Sequence, residues 1–297
     1  MKPPEWLKKL AVPLANKIVY ASDAYVGLKS VVNETAAEGI DFSEGPSGKT
    51  DERLHELASL LRPWAGDDLS LARVGGPSDG GYVMAVPIDV DCAISIGIGP
   101  DVSWDLEIAA MGIPVHMFDP TIKRLPQGVP GGHFYRAGIA GAEYRGNKYM
   151  SLAGLLELAH VSGLKEMILK VDVEGSEWHA LAEDSGFSLA CFQQVICEFH
   201  NISDLHDVSK ARQMLQVLRF LRKSHTPIAV HANNYDRLVA FDRNWFPNSI
   251  EVTFIRKQLL TNPRPAEVVD LDLMARCDPR VSEIQMNGLL TVSPELA

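Results

Sequence analysis

The chain has 297 residues, 46% of them hydrophobic and 22% charged, a balance that builds globular cores and excludes wholesale disorder, collagen and fibrous repeats. Lys and Arg number 28 against 38 Asp and Glu, a formal net charge of −10, which is the wrong sign for a protein whose main partner is nucleic acid. Four cysteines (Cys92, Cys191, Cys197 and Cys277) lie far apart with no C-x-x-C pair. That spacing excludes a disulfide scaffold and a local structural zinc motif, and it favours a reducing, cytoplasmic setting.

The first segment, MKPPEWLKKLAVPLANKIVYA, mixes basic residues with an apolar patch. Pro13 and Lys17 interrupt the patch and no small-residue cleavage site follows, so it reads as a surface helical arm and not as a leader or a membrane span. Packing on its own domain, or on a second subunit of a homodimer, is the preferred reading. A weak peripheral membrane contact through Trp6, Lys8 and Lys9 is the alternative. A Gly-, Ser- and acid-rich stretch at 38–49 is the linker, dividing an arm at 1–48 from one domain at 49–297.

Leu54, Leu57, Leu60 and Leu61 then have helical spacing, and Pro63 closes that helix. In the segment 73–83, Asp79-Gly80-Gly81-Tyr82 flanked by strand-like residues predicts a tight turn. The alternative is a glycine-rich edge laid over a cofactor. From residue 91 onward strands and helices alternate. Strands are expected near 91–99, 114–120, 133–141, 166–175, 191–200 and 226–234, with final sheet pieces at 237–241 and 249–257. Helices are expected after Asp101 and Ser103, at 151–163 behind Ser151, at 176–184, and at 207–223 with Met214, Val217, Leu218 and Leu221 on one face. This alternation implies an α/β fold with a mostly parallel sheet covered on both faces, and ligands bind such sheets beyond the carboxyl ends of the strands.

The chemistry should therefore sit at the strand ends. The first ends in SIGIGPD, where Gly97 and Gly99 allow a tight turn and close approach to a ligand ahead of a helix N-terminus. The third fingerprint position is Val102, so the G-x-G alone is a weak signal. The second strand ends in Asp119, twenty residues after Gly99, the distance at which an acid meets ribose hydroxyls. Together they suggest a nucleoside-containing cofactor without separating NAD from S-adenosylmethionine. The fourth strand ends in Lys170, Asp172 and Glu174, expected on one face by their spacing of two. The fifth ends in Glu198 and His200, and the sixth brings His231. In a parallel sheet Asp172, Glu198, His200 and His231 could converge on one pocket. The other seven histidines look incidental.

The segments SDGGYVM, SIGIGPDVSWDLEIAAMGIPVHMFDP, LKVDVEGSEWHAL and CEFH resemble the FkbM-type S-adenosylmethionine-dependent methyltransferases over about 73–257. The resemblance implies a class I methyltransferase fold, Rossmann-like, with seven strands of which the last runs antiparallel. It implies methyl transfer from S-adenosylmethionine to a hydroxyl of a sugar, glycolipid, other glycan or polyketide-type small molecule. By position, Gly97 and Gly99 would line the cofactor, Asp119 would hold its ribose and Asp172 would sit beside the methyl donor. Asp79, Gly80, Gly81 and Tyr82 would cover it. The usual glycine-rich loop is altered at two places, with Ser95 where an acid often stands and Asp101 where the last glycine does.

An alcohol becomes a good nucleophile only once its proton is removed or its oxygen is coordinated. The expected base is His200 or His231, oriented by Glu198. The rival is Mg²⁺ or Mn²⁺ held by Asp172, Glu198, His200 and His231. Two other classes share the same features: an NAD(P)-dependent oxidoreductase and a non-catalytic nucleoside-binding module. Tyr144 and Lys148 have the Tyr-x-x-x-Lys spacing of one dehydrogenase type, but fall in a loop. Lys123, Arg124, Arg136, Arg145 and Lys148 could meet an acidic acceptor, and a solvated face is the preferred reading of them.

Overall fold

The alternation of apolar strands and amphipathic helices closes into one twisted sheet, seen in a computed structural model that describes residues 49–141, 146, 148–183, 189–242, 244–266, 273–284 and 286. The N-terminal arm, Tyr144 and Arg145 lie outside the described residues. Seven strands form the sheet: β1 (Cys92–Ile96), β2 (Val115–Phe118), β3 (Gly132–Tyr135), β4 (Met167–Val171), β5 (Phe192–Phe199), β6 (His225–Ala232) and β7 (Ile250–Arg256). Their spatial order is 6-7-5-4-1-2-3. The neighbours among β1 to β5 pair in parallel, while β7 lies antiparallel between β5 and β6. The expected architecture is therefore present: a mostly parallel, Rossmann-like seven-stranded sheet whose last strand is reversed.

Among the described residues five α-helices accompany it: α1 (Lys49–Leu61), α2 (Ser103–Ala110), α3 (Leu152–Leu158), α4 (Glu177–Glu183) and α5 (Val208–Ser224). Residues from α1, α3, α4 and α5 share one apolar core with Ile94, Ile96, Leu169, Val171, Val195, Cys197, Val252 and Phe254 of the sheet. On the other face, Trp104 and Ile108 of α2 pack with Ala93, Val115, Met117, Ile168 and Ile196. That face is shared with an antiparallel hairpin, Ser70–Gly75 and Gly81–Val86, which contributes Val74, Tyr82 and Met84. Period-two alternation explains the split, since successive residues of one strand face opposite layers.

Local signals set most boundaries. Asp101 Oδ1 accepts from the Ser103 amide at 2.6 Å just before α2, and Ser151 Oγ accepts from the Gly154 amide at 3.2 Å to cap α3. α3 stops at Leu158, short of the expected Gly163, because His160 takes a left-handed φ of 59° that no continuing helix allows. α5 is capped by Asp207, which accepts from the Ser209 and Lys210 amides. Between β6 and β7 the chain makes a small hairpin, Leu238–Phe241 with Asn244–Pro247. After β7 it returns in the segment 273–284, which sends Met274 against Val83 and Ala229, and Ile284 into the core of the helical side. No described helix is long and apolar enough to cross a membrane.

Candidate functional site

The strand order reverses between β1 and β4, the switch point at which sheets of this kind open a crevice. Two glycines there have different jobs. Gly97, at φ +82°, is pressed so closely on the next strand's exit that an added Cβ would collide with the carbonyl of Asp172. Gly99, at φ +59°, has nothing within 4 Å of where its Cβ would be, so its open side faces free space. Asp119, ending β2, clasps this loop: one carboxylate oxygen accepts from the amides of Ile98 at 3.1 Å and Gly99 at 3.0 Å. The other accepts from the Thr121 amide at 2.7 Å and its hydroxyl at 2.6 Å. Burial alone would raise the Asp119 pKa, but the hydrogen bonds from Gly99 and Thr121 outweigh it and hold the carboxyl below the usual range. The residue expected to hold ribose thus already holds the glycine loop in shape.

The hairpin turn is laid over this edge. Gly75 donates its amide to Glu107 Oε2 at 2.7 Å and Gly76 to Ser103 Oγ at 2.8 Å, both from α2. Arg73 closes the turn from inside, donating to the carbonyls of Gly76 at 2.9 Å and Ser78 at 2.5 Å. The turn presents exposed Asp79, and the following strand sends the Tyr82 hydroxyl to Asp172 Oδ2 at 3.3 Å. The Asp-Gly-Gly segment is thus a tight turn, held by α2 and, through Tyr82, set against the exit of β4.

Lys170, Asp172 and Glu174 do not share a face as expected. β4 ends at Val171, and Glu174 turns outward at φ +55° with its side chain 87% exposed. Lys170 remains buried, donating to the Gly97 carbonyl at 2.9 Å and lying 3.8 Å from Asp172. It sits 5.5 Å over the Tyr82 ring.

Glu198 and His200 do come together. His200 Nε2 lies 3.4 Å from Glu198 and 3.6 Å from Glu174, and Nδ1 meets Glu177 at 3.0 Å. Glu177 is fully buried at the start of α4, where it also accepts from the amides of Val173 and Gly175 and so shapes the turn after β4. Burial alone would strip the proton from His200, yet hydrogen bonds to Glu177 and Glu198 push its pKa up to about 11. Burial pushes Glu198 up as well.

His231 stands apart. Its Nδ1 meets Glu251 at 2.8 Å and its Nε2 meets Glu283 at 3.0 Å. Burial opposes the proton there too, but the two carboxylates outweigh it and raise the pKa to about 9. In both, the neighbouring carboxylates favour the protonated ring, which works against the expected role of proton acceptor. The physical reason is the surplus of buried carboxylates. Glu198 and Glu251 are directly opposed across β5 and β7, and Glu251 is opposed to His231 across β7 and β6.

The set Asp172, Glu198, His200 and His231 is consequently distributed over three groups whose ligand atoms lie within 4.8 Å of one another: Asp172–Glu174–His200, Asp79–Glu198–Glu251 and His231–Glu251–Cys277. Each has the chemistry to hold a divalent cation. Glu177, Glu251, Cys277, Glu283 and Asn233, which donates to Glu198 at 2.6 Å, escape a reading by strand ends. Glu251 alone left a trace, as a charged residue in the apolar run of β7. Among the incidental histidines, His116 stacks on His133 at 5.2 Å and His225 is fully buried. Lys123, Arg124, Arg136 and Lys148 are exposed, as a solvated face requires.

The whole is a Rossmann-like α/β fold of the type that positions nucleotide cofactors for many enzyme chemistries. No family model matches the chain, and no curated protein does either.

Proposed function

We propose that the protein is an S-adenosylmethionine-dependent methyltransferase acting on a hydroxyl of a small molecule or glycan. One observation carries the reading. At the switch point of a 6-7-5-4-1-2-3 sheet with reversed β7, a glycine loop with an open Gly99 is clasped by the acid that ends β2. Seven strands with the last reversed, and Gly97, Gly99 and Asp119 around one loop, are what the FkbM-type resemblance implies. The carboxylate of Asp119, fixed by the amides of Ile98 and Gly99, would accept from the cofactor's ribose hydroxyls, and Gly99 leaves room for it. Methyl transfer from a sulfonium is an in-line displacement by an oxygen, with the thioether leaving, so the protein's main work is positioning.

Asp172 would lie beside the donor, held by Tyr82 and Lys170. The acceptor hydroxyl would give up its proton to the carboxylates at the exits of β4 and β5. We assign this role to Glu198, with His200 and Asn233 fixing its orientation. A second reading is that Mg²⁺ or Mn²⁺ assists, held by Asp172, Glu174 and His200, with Glu177 orienting the ring through Nδ1. Full turnover in chelator would dismiss that reading and leave the first. The acceptor's identity, the homodimer and a cytoplasmic setting belong to the same proposal.

Calorimetry on the full chain with S-adenosylmethionine, S-adenosylhomocysteine and NAD tests it. Binding of the first two is expected, lowered about 10- to 100-fold by Asp119→Ala through loss of charge-assisted hydrogen bonds. Binding of NAD in preference to both would replace the proposal with the oxidoreductase reading.

A further inference from the structure

We infer that His231, Glu251 and Cys277 form a zinc site that fastens the C-terminal segment to the sheet. The three come from β6, β7 and the segment 273–284, and all are buried. Their ligand atoms already face one another: Nδ1 of His231 and Oε2 of Glu251 are 2.8 Å apart, and Sγ of Cys277 lies 3.3 Å from Oε1 of Glu251. Ligand atoms of a tetrahedral zinc shell, with bonds of about 2.0–2.3 Å, sit roughly 3.3–3.8 Å apart. All three ligand atoms lie within 4.8 Å of one another, so side-chain adjustment alone would admit the ion.

A second feature points the same way. A metal-bound imidazole characteristically gives its other ring N–H to a carboxylate, which sets the tautomer. Glu283 does this for His231, meeting Nε2 at 3.0 Å, and its second oxygen is buried without a partner. Among the described residues no Lys or Arg bonds to Glu198 or Glu251, which are opposed across neighbouring strands; their partners are His200 and Asn233 for the one, His231 and Cys277 for the other. Asp79, exposed at the hairpin turn, completes an acidic group with the two carboxylates.

The ligand set chooses the metal. One thiolate, one imidazole and one carboxylate suit zinc, whereas Mg²⁺ and Ca²⁺ want oxygen alone. Zinc would bind the thiolate of Cys277, whose proton goes to solvent, and the Nδ1 lone pair of His231, with the Nε2 proton directed at Glu283. Cys277 is presented by a fold that is already set: Asn234 donates to the carbonyls of Asp278 at 3.0 Å and Val281 at 3.1 Å and accepts the Asp278 amide at 2.7 Å. The ion would tie that tethered segment to two strands. Cysteine spacing could not reveal such a site, because its ligands lie in three separate stretches of chain.

The inference is independent of methyl transfer and is tested by metal content and spectroscopy. Purified full-length protein, dialysed against metal-free buffer, is expected to retain one zinc per chain by elemental analysis. Replacement by Co²⁺ should produce a thiolate-to-cobalt band in the near ultraviolet. Cys277→Ser, which keeps the side-chain volume, should abolish the band and release the metal. Glu283→Gln should keep the band and weaken metal affinity about 10- to 100-fold. Folded wild-type protein that retains no zinc, or a cobalt spectrum without the thiolate band, would overturn it. S-adenosylmethionine binding measured on the same samples shows separately whether the cofactor reading stands.

Discussion

Gly97 and Gly99 are two residues apart, both have left-handed φ, and yet they answer to different constraints. Replacing Gly97 with Ala places a methyl group on the Asp172 carbonyl. The two strand exits cannot separate without breaking the Asp172 amide's bond to the Ile96 carbonyl, so Gly97→Ala should cost more than about 3 kcal/mol and fail to yield a stable fold. Gly99→Ala carries only the left-handed penalty of about 1–2 kcal/mol, because its Cβ would meet open space. It should fold and show its defect in cofactor binding. Urea titrations of the two variants, with calorimetry on whichever folds, check both halves. Equal loss of stability would contradict this division. The histidines teach a related lesson at the same scale. His200 and His231 are the residue type suited to a base at neutral pH, but the carboxylates at 2.8–3.6 Å favour the protonated ring instead.

The elements meet at the hairpin turn, whose position depends on α2. Glu107 accepts the Gly75 amide and Ser103 the Gly76 amide, so the helix that follows the glycine loop also holds the flap above it. Glu107→Ala leaves a half-buried amide without an acceptor, a loss of about 1–3 kcal/mol. Because the bond anchors a turn and not the core, we expect the cost to fall locally. Amides of residues 75–82 should exchange faster with solvent while the core strands keep their protection, as mass-resolved hydrogen exchange would read. Glu107→Gln retains an acceptor oxygen and should restore most of the protection. Unchanged exchange at Gly75–Gly81 in the Ala variant would show that the turn is held by something else.

At the scale of the molecule, the acid limb of stability should depend on His225. It opens β6 fully buried, bonds to the Phe192 carbonyl at 2.9 Å, and burial pushes its pKa down to about 4. Above the unfolded value of about 6.5 neither state holds the proton, and the group is neutral in its effect. As pH falls from about 6.5 to about 4, the unfolded chain takes up a proton that the folded one refuses, so stability declines, by up to about 3 kcal/mol. His225→Gln should be less stable at pH 7, through loss of the bond to Phe192, but should show a flatter decline across that window in urea midpoints. An unchanged slope would assign the acid limb to other groups.

How much of this was legible beforehand follows from the range over which each feature is decided. Strands, helices and the Asp-Gly-Gly turn were readable because apolar period, caps and turn residues act within a few positions of one another. The α/β class and the placing of Gly97, Gly99, Asp119, Asp172, Glu198 and His200 at strand ends follow from that local pattern. The contacts of Glu251, Cys277 and Glu283 did not, because each depends on which strand lies beside which. β7 inserts between β5 and β6, and only that insertion sets Glu251 opposite both Glu198 and His231. Likewise, Cys277 reaches Glu251 across 26 residues of chain only because Asn234 holds the returning segment. The amino-acid sequence alone determined the elements and the edge of the sheet where chemistry gathers. Tertiary structure alone decided which charges face each other there, and hence which groups keep their protons, because electrostatic partners are set by distance in space and by burial.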